Sequence, residues 1–144
     1  MDNLELSFMT LDDFYEIEDV YNIEFDDFWT PSNLKSELAN INSKYVVAKK
    51  NNTVVGFAGI WFSVDDAHIT NIVVRKNSRH NGIGSLLLEK LIELAKEKAS
   101  LTLEVNVKNT NAQKLYLKYG FKNLGIRKKY YHGIEDAYIM TLYF

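Results

Sequence analysis

The chain contains no cysteine. That excludes disulfides, zinc–thiolate sites and a cysteine nucleophile. Proline is nearly absent, with a single residue at Pro31. Charge of neither sign dominates: 17 Lys and Arg stand against 19 Asp and Glu, a formal net charge of -2. No global basic field therefore draws in nucleic acid, although Arg127-Lys128-Lys129 forms a local basic patch. Long hydrophobic runs are missing too. The longest apolar-and-small stretch, 54–64, falls short of the ~18 residues that span a bilayer. The opening residues, MDNLELSFM, lack the basic and apolar regions of a signal peptide. The expectation is a cytoplasmic protein with no membrane contact and no direct nucleic-acid binding. At 144 residues, with 47% hydrophobic and 25% charged side chains, the chain reads as one globular domain over 1–144.

The stretch 68–99 organises the rest. An apolar, β-branched run (HITNIVV) leads through RKN into SRHNGIG and then into the helical segment SLLLEKLIELAKEKA. Such a strand–loop–helix unit can hold a phosphate. Glycines at Gly82 and Gly84 let the backbone close around an anion or adopt φ > 0. A helix starting near Gly84 or Ser85 turns its unpaired N–H groups and positive dipole end toward the same place. A G-x-G pair also suits an ordinary βα turn.

Before this unit, Leu4, Leu6 and Phe8 alternate as in a half-buried strand. Thr10 caps a helix with Asp12 and Asp13 in its first turn, followed by Phe14, Ile17, Val20 and Tyr21 and ending near Phe25. Residues 26–29 read as a loop. A second helix starts at Thr30-Pro31-Ser32, with Leu34, Leu38 and Ile41 as its stripe. Phe25, Phe28 and Trp29 are either core or one wall of a substrate groove. Strands at 45–48 and 53–64 form a hairpin around Asn51-Asn52, and Gly56 and Gly59 mark a bulge or a close backbone approach. Asp65-Asp66 turns the chain into an antiparallel strand, 68–74.

After the loop, Leu87, Leu88, Leu91, Ile92, Ala95 and Ala99 share one helix face. Leu101, Leu103, Val105 and Val107 then face one way along a strand, and Thr102, Glu104 and Asn106 the other. This βαβ unit predicts a parallel, right-handed crossover. Asn109-Thr110-Asn111 caps a short helix, 112–119, with Gly120 at C′. The last two strands are 121–127 and 137–144, and Tyr130-Tyr131-His132-Gly133 connects them.

Two residues stand out chemically. Glu104 lies mid-strand among apolar neighbours, where it either faces solvent or sits in a cleft as a general base. Tyr116 either packs as a core or rim aromatic or aims its phenol at the open end of the sheet.

RHNGIG at 79–84 resembles the Q/R-x-x-G-x-G/A signature of the GCN5-related N-acetyltransferase (GNAT) family, which binds the pyrophosphate of acetyl-CoA. NIVV at 71–74, LEV at 103–105, NAQKLYLKYGF at 111–121, RKKYY at 127–131 and EDAYIM at 135–140 are similar to the bacterial ribosomal-protein-alanine N-acetyltransferases within that family. The resemblance implies an α/β (α+β) fold. It would be a single mixed, largely antiparallel sheet of about six to seven strands with a central parallel pair, flanked by about four helices.

The resemblance also implies roles for particular residues. Glu104 would be the proton acceptor and Tyr116 the proton donor. The backbone of Ile72, Val73 and Val74 would pair with the pantetheine arm and the acetyl carbonyl. Arg79, His80, Asn81, Gly82, Ile83, Gly84 and Ser85 would form the pyrophosphate loop, and Asn109 a further cofactor contact. Tyr130 and Tyr131 would close over a peptide substrate. The implied cosubstrate is acetyl-CoA, with no metal, and the implied partner is a protein N-terminus, that of a small-subunit ribosomal protein beginning with alanine. With no cysteine to form an acetyl-enzyme, transfer would be direct, in a ternary complex. Arg75-Lys76-Asn77 departs from the family's residues at that turn, which bears on peptide preference more than on the cofactor. An acetyltransferase of small amines or polyamines and a non-catalytic acyl-CoA-binding module are the other readings.

Overall fold

The computed structural model describes residues 4–25 and 30–144. Seven strands form one sheet in the order β1-β2-β3-β4-β5-β7-β6. They are β1 (Leu4–Phe8), β2 (Ser43–Lys50), β3 (Thr53–Phe62), β4 (Asp66–Val74), β5 (Ser100–Asn106), β6 (Lys122–Tyr131) and β7 (Glu135–Tyr143). Neighbours are antiparallel except β4 and β5, which the expected βαβ crossover makes parallel. Four α-helices flank the sheet among the described residues: α1 (Leu11–Ile17), α2 (Pro31–Leu38), α3 (Ile83–Ala95) and α4 (Thr110–Lys118).

Each sheet face carries its own core. On one face α3 lays Leu87, Leu88, Leu91 and Ala95 against Val46, Ala58, Ile69, Leu101, Leu103 and Val105. On the other, Phe14, Ile17, Tyr21, Phe25 and Leu34 pack on Val47, Phe57 and Val73. Phe25 is thus a core residue that also reaches the cleft. Phe28 and Trp29, read with it, lie outside the described residues, as does the loop 26–29.

The first helix is not continuous. α1 starts with the predicted Thr10 cap, in a reciprocal capping box with Asp13, but after Ile17 it tightens to a 3-10 turn and then widens to a π-helix, Tyr21–Phe25. The widening brings Tyr21 and Phe25 to the same ring, Phe57, at 5.9 and 5.7 Å. Ile41 is not in the stripe of α2; it lies beyond the helix and is 95% exposed. Ala99 likewise falls past the end of α3, Val107 past β5, and Asp66 opens β4 rather than sitting in the turn. Gly120 does take the C′ position, at φ +93.

Both strand glycines mark irregularities. The β2–β3 register slips after Ala48, leaving Val55 as the extra residue beside Gly56. A Cβ at Gly56 would stand 3.0 Å from the Val73 carbonyl and 3.2 Å from Leu87, so the glycine lets α3 approach the sheet. The β3–β4 register slips at Gly59, with Thr70 as the extra residue of a bulge on β4. The Tyr45 ring lies over Gly59, and its hydroxyl is 3.0 Å from Thr70 Oγ1. Bulges bend the strand that carries them and re-aim its side chains.

A Cβ at Gly59 would sit 2.3 Å from the Tyr45 ring and 2.5 Å from Thr70 Oγ1. Gly59→Ala is therefore expected to lower stability by about 1–3 kcal/mol, the usual cost of overpacking. The midpoint of urea unfolding reads this out, and an unchanged midpoint would show that the ring moves aside freely.

Candidate active site

β4 and β5 pair over only three rungs, Asp66–Ser100, Ala67–Leu101 and His68–Thr102. Beyond them the strands diverge, and the Thr70 bulge lies just past the split. The gap is a cleft of about 620 Å³. It is lined along β4 from Ile69 to Val74, along β5 from Leu103 to Asn106, by the loop before α3 and by α4. Ile72, Val73 and Val74 remain paired with β3 on one edge, and β5 has left their other edge.

The loop at the end of the cleft turns backbone N–H groups toward it. His80 and Gly82 both adopt left-handed φ, 66 and 81, and alternation of this kind turns successive N–H groups to one side. Gly82 caps α3 without a side chain, and the first turn of α3 carries no acid. The first amides of a helix have no intrahelical acceptor, so these stay available. By contrast, Thr10, Thr30 and Asn109 cap α1, α2 and α4 with their own oxygens. Gly84 differs from the expectation. It is already helical, and a Cβ there would meet nothing closer than Val74 at 4.0 Å, so only Gly82 is demanded by the backbone.

Arg79 lines the cleft, yet its guanidinium is engaged elsewhere. Nε donates to the Val74 carbonyl and Nη2 to the Phe25 carbonyl, each at 2.9 Å. Arg75 reaches the same π-helix, 5.0 Å from the Phe25 ring centroid and 3.4 Å from Glu24 Oε1. The departure at 75–77 thus supplies a second clamp between loop and π-helix.

His80, Gly82, Ile83, Gly84 and Asn109 line the cleft. Asn81 and Ser85 do not. Asn81 Nδ2 donates to the Ser78 carbonyl, and the Ser85 hydroxyl bonds the Tyr119 hydroxyl, which in turn donates to Glu89. The Asn109 side chain accepts from Ala112 N–H, so its first task is to cap α4.

Glu104 and Tyr116 meet in this cleft from opposite faces of the sheet. Glu104 alternates with Leu103 and Val105, which belong to the α3-side core, and so points the other way. Tyr116 packs on the α3-side core, with its ring 5.8 Å from Phe121. Burial pushes its phenol up to about 12, so it stays protonated across the neutral range.

The Glu104 side chain is 4% exposed. Its Oε1 is 3.5 Å from Arg127 Nη1, and its Oε2 is 2.8 Å from His68 Nε2. The second contact is close but off-axis, and Oε2 makes no directed hydrogen bond. Tyr131 donates its hydroxyl to the Glu104 carbonyl at 3.1 Å, and Tyr130 stands edge-on to Tyr131 at 4.9 Å. Both tyrosines belong to the end of β6 rather than to the connection, Tyr130 within an irregularity after Arg127 and Tyr131 where pairing with Glu135 resumes. Tyr131 lines the cleft; Tyr130 lies behind it under the Arg127 guanidinium, 5.1 Å away. Burial, then the charge of Glu104, raise the Tyr130 phenol against the pull of Arg127.

Sequence reasoning missed His68 and the role of Arg127 beside Glu104. No local signal reveals them, because His68 meets Glu104 only through the β4–β5 register.

The Acetyltransferase (GNAT) family model matches residues 11–121, and the chain belongs to this family. It is an acyltransferase with the GNAT fold. Among its relatives is a Bacillus subtilis protein provisionally named a [ribosomal protein bS18]-alanine N-acetyltransferase, 42% identical over 132 residues, with 87% of each chain covered. The [ribosomal protein bS18]-alanine N-acetyltransferase of Haemophilus influenzae is 35% identical over 135 residues, covering 89% of this chain and 92% of that one. The crystal structure of the ribosomal-protein-alanine N-acetyltransferase of Escherichia coli superimposes with a TM-score of 0.87 at 28% identity, covering 97% of this chain and 93% of that one.

Arg79→Ala removes two hydrogen bonds that tie the loop to β4 and to the π-helix. Amide hydrogen exchange at 76–84 is expected to quicken by about 30-fold, as the loss of two hydrogen bonds of about 1 kcal/mol each would allow. Unaltered protection would mean the loop holds itself.

Proposed function

We propose that this protein acetylates the α-amine of an alanine-initiated protein N-terminus, that of a small-subunit ribosomal protein, using acetyl-CoA in a ternary complex. The observation that carries the reading is the pairing, in one cleft, of a buried carboxylate and a protonated phenol on opposite faces of the sheet. The relatives' shared activity supports the acceptor.

The residues fit acetyl-CoA. The uncapped start of α3, the left-handed His80 and Gly82 and the acid-free first turn suit a pyrophosphate. The free edge of β4 at Ile72, Val73 and Val74 suits an extended amide-bearing arm. When bound, the cosubstrate supplies an acetyl thioester. Backbone N–H groups of β4 stabilise negative charge on the carbonyl oxygen. Glu104 takes the proton from the attacking nitrogen, directly or through a water. Tyr116 hydrogen-bonds the departing sulfur from the other face and gives it a proton.

A protein α-amine, with a pKa of about 7.7–8.0 against about 10.4 for lysine, reaches its neutral form more easily. Tyr131, with Tyr130 packed behind it, forms the wall over the acceptor side and favours a peptide over a small free amine. Arg79, Asn81, Ser85 and Asn109 act as scaffold around the loop, and the backbone of Ile83 and Gly84 donates to the cosubstrate.

Tyr116→Phe is expected to lower kcat by about 10²–10⁴-fold with an alanine peptide, the span of a proton-transfer group. Unchanged turnover would leave Tyr116 as scaffold. Glu104→Gln is expected to lower kcat by about 10²–10⁴-fold, and unchanged turnover would remove Glu104 from the base role. Turnover of free amines but not of the peptide would reverse the acceptor assignment.

A further inference from the structure

At the end of acetyl transfer the C–N bond has formed and the C–S bond has broken. Glu104 then holds the proton taken from nitrogen, and Tyr116 lacks the one given to sulfur. The enzyme is reset only when the first proton leaves and the second returns. Glu104 is poorly placed to release its proton to bulk water, with its side chain 4% exposed and product in the cleft before it.

The groups facing the carboxylate come from three strands. Arg127 of β6 stands 3.5 Å away but is a permanent cation with no acceptor capacity. Tyr131 of β6 commits its hydroxyl to the Glu104 carbonyl, and the raised phenol of Tyr130 has no room for a further proton. Of β5's own side chains on that face, Thr102 bonds Thr141. That leaves His68 of β4. Its Nε2 is 2.8 Å from Glu104 Oε2, and 34% of its side chain is exposed. It occupies the last rung before the strands part, outside the lining of the cleft. Imidazole is the side chain suited to accept and pass on a proton near neutral pH.

We infer that His68 is a positioning residue that relays the proton from Glu104 to solvent, out of the back of the cleft. A small rotation of the ring brings its nitrogen onto the Oε2 axis. The proton then leaves through the exposed side of the imidazole, and Glu104 returns to its carboxylate form for the next acceptor.

The test compares wild type, His68→Ala and His68→Gln with acetyl-CoA and an alanine-initiated peptide in weakly buffered solution. Both variants are expected to lose about tenfold in kcat, less than a group that itself attacks the substrate proton, with KM for acetyl-CoA unchanged. Added imidazole restores kcat in both and does nothing for Glu104→Gln. An undiminished kcat, or a loss that imidazole does not repair, overturns the relay. The inference rests on the acetyl-transfer reading above, so a second arm is independent of the acceptor. In the resting protein, the ¹⁵N resonance of His68 Nε2 is expected to shift in Glu104→Gln. A shift without peptide turnover by wild type supports the pair and sinks the acceptor assignment. Absence of a shift sinks the pair whatever the turnover.

Discussion

The short parallel pairing of β4 and β5 is the constraint on which the rest depends. After the His68–Thr102 rung the two strands part, and among the described residues no later strand fills the space. Hydrogen-bonded strands lie about 4.8 Å apart and leave no room for a ligand. A sheet that splits from a sealed base supplies both a rigid hinge and a cleft with two free edges. The Thr70 bulge, held by Tyr45 over Gly59, sits on the diverging side of that hinge. Gly59 and the Tyr45 hydroxyl thus pack against the bulge where the strands part.

The split also distributes the chemistry between faces. Because side chains alternate along β5, Glu104 faces away from the α3-side core that Leu103 and Val105 join. Tyr116 arrives on that core side from α4. In the proposed reaction, an acceptor amine meets the carboxylate from one face while the thioester lies toward the phenol on the other. The carboxylate and the phenol are kept apart by the sheet itself. Burying a carboxylate is costly without partners. Arg127 and His68 stand against its two oxygens, one a fixed cation and one an imidazole.

Much of this was legible in residue order. Thr10 with Asp13, Asn109 with Ala112, and Gly120 at positive φ are local devices whose partners lie within a few residues, so spacing reveals them. The alternation through 101–105 located Glu104 on the opposite side from its apolar neighbours. Of the two loop glycines, Gly82 takes the positive φ that the sequence suggests, whereas Gly84 is already helical. Arg79 illustrates the opposite limit. Its motif position suggests a ligand contact, yet its guanidinium spans to Phe25, far off in the chain. Tyr130 and Tyr131 read as a connection in the sequence because β-pairing across an irregularity leaves no periodic trace.

By itself, the sequence determined the elements, the mixed sheet with its parallel crossover and the residue types of the candidate site. These follow from periodicity, caps and turn chemistry, which act over a few residues. Only the tertiary structure decided where β4 leaves β5, which side chains flank Glu104 and that His68 stands against it. Those facts depend on strand register between segments that a helix separates in the chain. Register is set by packing on both faces of the sheet at once, not by any local run of residues.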